Sequence, residues 1–255
     1  MILSRITRAI REQNWFAVAI EFVIVILGVV IGFQISAWNE AREERGRERD
    51  TLIRLYQDIE ASRATQIRDI GHIEQQLADQ TVVLAALDQC RVAPEDDLVF
   101  QRGIATLGWI NPPRLNRRTI EEMLASGRTE IISNREILDE LAEIVATVEW
   151  RAAAYDDTMN SMQHNRQRIE PYLRFELDQV LENPFVPNHR VRVIYDITAL
   201  CADEAVVNSI SSVSYLSSER MEAYRPLIDI YGDFLAVIAE ELDARWGFDP
   251  SASAG

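Results

Sequence analysis

No lysine occurs anywhere in the 255 residues; all 26 basic side chains are arginine. That uniformity reflects the codon composition of the source and carries no chemistry by itself. Glycine (10) and proline (8) are scarce, which disfavours a loop-rich β fold and favours long helices. Histidine is almost absent, with His72, His164 and His189 far apart in sequence. The signatures that carry catalysis are missing too: no H-E-x-x-H, no G-x-S-x-G, no P-loop, no G-x-G-x-x-G and no C-x-x-C. Asp69 and His72 have the carboxylate-x-x-His spacing of bundle metal sites, but no second such motif accompanies them, so they read as surface residues. Adjacent acids such as Asp156-Asp157 and Glu240-Glu241 point about 100° apart on a helix and do not converge. The sequence therefore implies no enzyme, no metal and no cofactor.

What is present is acidic and apolar. The net charge of −15 lies wholly beyond residue 50, because residues 1–50 carry seven arginines and seven acids. Phosphate backbones repel so acidic a domain, which argues against nucleic-acid binding. From Trp15 to Ile35 the chain reads WFAVAIEFVIVILGVVIGFQI, and about 20 such residues span a hydrocarbon core of roughly 30 Å. Trp15 and Trp38 bracket it at interfacial positions. The run is too long for a signal-peptide core, contains Glu21 and lacks a small-x-small cleavage site. The reading is a basic tail (1–14), a transmembrane helix (15–37) and a charged helical stalk (38–50). Gly28 and Gly32 form G-x-x-x-G, a spacing that lets helix backbones approach closely. An acid inside a span, Glu21, is a functional candidate. Arginines flank both ends of the span, so their count does not set the orientation; the short tail favours a domain outside the cytoplasm.

Glu21, Gly28, Gln34-Ile35 and Trp38-Asn39-Glu40 together resemble the anchor signature of an uncharacterised family of bacterial single-pass membrane proteins. Ser126-Gly127 with Ile132-Ser133-Asn134 is similar to that family's S-G-x4-I-S-N turn. The resemblance covers the anchor and the middle turn. It implies a helical domain of unknown function on the inner membrane, and it transfers no catalytic residue.

Residues 51–248 read as an all-α, elongated antiparallel bundle of three long helices plus two short ones, with a disordered tail at 249–255. The first long helix carries Leu52, Tyr56, Ile59, Ile70, Ile73 and Leu87 at heptad-like spacing, with Leu55 and Ile67 widening the stripe. Short helices follow near Leu98–Trp109 and from Thr119, where Thr119 and Glu122 have capping-box spacing. Ser133 with Glu136 repeats that spacing ahead of the second long helix. Its stripe runs from Leu138 through Met162 to Val180, and Pro171 should kink it or end it early. Residues 190–197 alternate weakly and suit an extended segment. Asp203 caps the last helix, and Pro226 bends it.

Two cysteines allow one disulfide. If the three long helices alternate in direction, Cys90 and Cys201 sit at opposite ends of the bundle, and a bridge needs Cα atoms within about 7 Å. The thiols then stay free unless the 183–202 connection climbs back. Trp109, Arg114, Arg117, Arg118 and Arg128 could form a basic, aromatic-rimmed patch for a partner or anion; the alternative is ordinary ion pairing. The resulting expectation is a membrane-tethered scaffold, in contact with the lipid bilayer, another membrane or periplasmic protein and, through the anchor, a second copy. Alternatives are an accessory subunit of an ion-coupled complex with Glu21 as proton carrier, and a ligand-sensing accessory protein outside the cytoplasm.

Overall fold

Nothing between residues 15 and 88 interrupts a helix, since the first proline is Pro94. A computed structural model describes residues 15–182 and 190–253. The tail 1–14, the Asn183–His189 break and the last two residues lie outside the described residues. Helix α1 runs unbroken over Trp15–Asp88. It stops where Cys90 takes a left-handed conformation (φ 50°) and the Arg91 N–H returns to the Ala86 carbonyl at 2.9 Å. The chain divides into two units, residues up to Asp50 and residues from Thr51. In the first, every described side chain from Ala19 to Trp38 is exposed.

The second unit is mainly helical, with one hairpin. Short helices α2 (Asp97–Ala105) and α3 (Arg118–Ala125) precede the long α4 (Arg135–Ile169). Strands β1 (Leu173–Glu182) and β2 (Arg190–Tyr195) pair antiparallel. Then come α5 (Ile197–Ala202), α6 (Glu204–Tyr224) and α7 (Pro226–Trp246). Pro226 opens α7, so the bend expected there is a break between two helices. Asp203 caps α6 through the Ala205 N–H at 2.9 Å, as its position suggests.

Two apolar clusters fix the direction of each leg. One gathers Leu52–Ile59 of α1, Ile137–Val148 of α4 and Leu227–Leu242 of α7. The other gathers Ile70–Leu87 of α1, Met162 and Ile169 of α4, and Val206–Tyr224 of α6. Helices α1 and α4 therefore run the same way, and α6–α7 runs against both. Strict alternation of the three long helices does not hold. The chain instead returns between α1 and α4 along residues 106–117, and this non-helical leg supplies the missing reversal.

A non-helical leg against a helix needs partners for its backbone, and α1 provides them from polar side chains set among its apolar ones. Asp79 takes both arms of Arg102, at 2.5 and 2.7 Å. Gln76 donates to the carbonyls of Thr106 and Trp109. Asp69 accepts from Asn111 at 3.1 Å, and the Ser62 hydroxyl accepts the Asn116 N–H at 2.9 Å. Asp58 accepts from Asn116 Nδ2 and from both the N–H and the hydroxyl of Thr119. Asp58, Ser62, Gln76 and Asp79 are all buried. Each step down this ladder moves one or two turns back along α1.

Several expectations are corrected. The stripe read as helical to Val180 ends at Ile169; the Glu170–Tyr172 turn around Pro171 leads into β1. Thr119 makes no capping box, because its hydroxyl goes to Asp58 and α3 has no side-chain cap. The cap of α4 is Asn134, one residue past Ser133, accepting from Glu136 N–H at 3.0 Å. Ile67 faces outward. Residues Pro250–Ser253 form a 3-10 turn where a disordered tail was expected.

Close packing of α2 on α1 depends on Gly103. A Cβ there would meet Val83 Cγ2 at 2.8 Å and the Asp79 carbonyl oxygen at 3.0 Å. Backbone cannot rotate away as a side chain can, so Gly103→Ala should destabilise by about 1–3 kcal/mol, read from the urea midpoint of helical circular dichroism.

Candidate functional site

Glu21, Gly28, Gly32, Gln34, Trp38, Asn39 and Glu40 all lie on α1, and all are exposed. A Cβ on Gly28 or Gly32 would meet nothing within 4 Å, so the two glycines leave a shallow, open strip on one helix face. Arg42 lies 5.8 Å from the Trp38 ring centroid, a cation–π distance. Among the described residues, one helix is long and apolar enough to cross a membrane, and its apolar window is wholly exposed.

The patch expected around Trp109 does not assemble as one surface. Trp109 is held at the level of Gln76, whereas Arg118 lies 3.5 Å from Asp58. Those α1 positions are 18 residues apart, about 27 Å along a helix. Arg117 pairs with Glu149 at 2.7 Å. Arg114 offers its carbonyl to the Tyr231 hydroxyl at 3.2 Å while its side chain is exposed. Arg128 is exposed beyond the left-handed Gly127. The ion-pair reading describes Arg117 and Arg118; Arg114 and Arg128 keep outward-facing side chains.

Cys90 and Cys201 are bridged, with Cα atoms 5.6 Å apart, which overturns the expectation of free thiols. The reason is the route of the chain. Because α4 runs parallel to α1, both end beside the second cluster, and α5 starts there too. The return climb that a bridge requires is made by residues 106–117, well before the 183–202 connection.

Two further features escaped motif reading. A 240 Å³ groove between α4 and α7 is lined by Glu140, Glu143, Ile144, Asp233 and Phe234. Burial, with Glu136, Glu143 and Asp233 nearby, pushes the Glu140 carboxyl up. Tyr224 of α6 is buried, with Arg220 of α6 hydrogen-bonded to it and Arg151 of α4 nearby. Burial pushes the Tyr224 phenol up to about 12 and lowers the Arg151 guanidinium. The only advance sign is that Arg151 and Arg220 each sit beside an apolar helical stripe. Among the described residues, no group of three His, Cys, Asp or Glu side chains is placed to hold a metal. No protein-family model, no curated protein and no solved structure matches this chain.

Proposed function

We propose that this is a single-pass protein of the bacterial inner membrane whose helical domain stands outside the cytoplasm as a scaffold for another membrane or periplasmic protein. The observation that carries the reading is the contrast along α1. Residues 19–38 are largely apolar and exposed, whereas from Leu52 on the apolar side chains are largely turned into a core. A helix apolar on nearly every side, with nothing covering it, is matched to lipid. The Cys90–Cys201 bridge supports an oxidising compartment for the domain. The open Gly28/Gly32 strip supports pairing of two anchors.

Washing native membranes with alkaline carbonate and treating intact spheroplasts with protease tests it. The full chain should stay in the washed pellet, and external protease should remove everything beyond the stalk. Release into the wash, or protection of the domain, would overturn the reading. Crosslinking in the same membranes then names the partner. Glu21, an acid within the apolar run, favours a second reading as an accessory subunit of an ion-coupled complex. Glu21→Gln separates the two: it abolishes a proton-carrying role and leaves a scaffold's captured partners unchanged.

A further inference from the structure

The groove between α4 and α7 combines apolar walls with carboxylates. Ile144 and Phe234, 4% and 1% exposed, are its deepest side chains, and Ile230 and Thr147 lie beside them. Glu140 and Glu143 of α4 and Asp233 of α7 line the same groove. Glu143 and Asp233 are exposed, and Glu140 is half-buried. Spacings of three and four residues keep each helix's contribution on one face, so the groove follows from the packing of two helical stripes.

None of the three carboxylates has a cation. Among the described residues no arginine pairs with them, whereas Glu149 and Glu241 on the same two helices hold Arg117 and Arg245. Burial, and then the charges of Glu136, Glu143 and Asp233, push the Glu140 carboxyl up, and no positive neighbour offsets them. A cation seated among these carboxylates relieves their repulsion.

Size and charge select the occupant. Among the described residues no group of three acids is placed to hold a metal ion, so the positive charge must be spread along a chain. A partner's helix, about 10–12 Å across, is too thick to enter a groove of 240 Å³. A second copy of this acidic domain brings more negative charge. A thin aliphatic chain fits: its methylenes cover Ile144 and Phe234, and its ammonium groups, set at intervals, meet the carboxylates.

We propose that the α4–α7 groove binds a linear aliphatic polyamine, with Glu140, Glu143 and Asp233 holding the ammonium groups over a floor of Ile144 and Phe234. The site does not depend on the scaffold reading.

The test is calorimetric titration of the full-length protein in neutral detergent micelles with spermidine, against Mg²⁺ and argininamide at matched ionic strength. Spermidine should bind saturably at one site. Glu140→Gln should weaken it at least about fivefold and Asp233→Asn about threefold, with helical circular dichroism unchanged. Asp156→Asn, exposed and about 13 Å further along α4 than Thr147, should leave it unchanged. No saturable spermidine binding overturns the proposal. Mg²⁺ or argininamide binding as tightly overturns the polyamine assignment. Equal losses in Asp156→Asn, or none in the groove variants, overturn the site. Should Glu140→Gln fail to fold, Asp233→Asn decides alone.

Discussion

Replacing Cys90 and Cys201 together with serine should lower the stability of the domain by about 3–5 kcal/mol. The bridge closes a loop between positions 111 residues apart, long enough for the chain-entropy effect to approach its upper range. For a domain of this size that corresponds to a fall of roughly 8–15 °C in Tm. Thermal unfolding in micelles, with and without reductant, reads it directly: reductant should move the wild type to the midpoint of the double serine variant and leave the variant where it is. A wild-type midpoint indifferent to reductant would mean that the two sulfurs are not joined. Membrane-extracted protein should also migrate faster on a non-reducing gel than on a reducing one.

Asp58→Ala should cost about 3–5 kcal/mol, the largest effect expected of a single substitution. The Asp58 side chain is 2% exposed, and it accepts hydrogen bonds from three groups, one at the end of the returning leg and two at the start of α3. Truncation leaves the buried Thr119 N–H and hydroxyl without their acceptor. Asp58→Asn keeps one acceptor oxygen and should cost about half as much. Arg118→Ala serves as the contrast. Its side chain is 74% exposed and 3.5 Å from Asp58, so the loss should stay below about 1 kcal/mol. Urea midpoints with an unchanged denaturant slope would give these differences cleanly. Equal losses for Asp58→Ala and Arg118→Ala would show that the ion pair, and not the buried hydrogen bonds, holds the leg.

The elements that could be read from the chain were those whose signal is local. Asp203 caps its helix, and Pro226 breaks the last helical stripe into α6 and α7, because cap and proline act within one turn. The stripe from Leu52 to Leu87 packs largely as its spacing suggests. The direction of the legs was not legible. Residues 106–117 have no periodicity, and Asn111-Pro112-Pro113 looks like an ordinary loop. Their partners Asp58, Ser62 and Gln76 stand in a helix where polar residues are usually solvated, so nothing in their identity announces burial. The hairpin was hidden for the opposite reason. Leu173 and Val180 continue the spacing of the α4 stripe, and only Pro171 argues that the helix has ended. The approach of Arg151 to the buried Tyr224 depends on α4 and α6 packing side by side, which no local pattern encodes.

The long reach between the bridged cysteines has a consequence during synthesis. Cys90 leaves the ribosome 111 residues ahead of Cys201. At about 5–20 residues per second, its thiol therefore waits roughly 5–20 s for its mate. Throughout that interval the nascent chain carries a lone reactive sulfur that a neighbouring chain could capture. Faithful maturation of this protein is thus a race between elongation and oxidation, and an abrupt rise in oxidant supply should yield disulfide-crosslinked chains before it yields more of the internally bridged form.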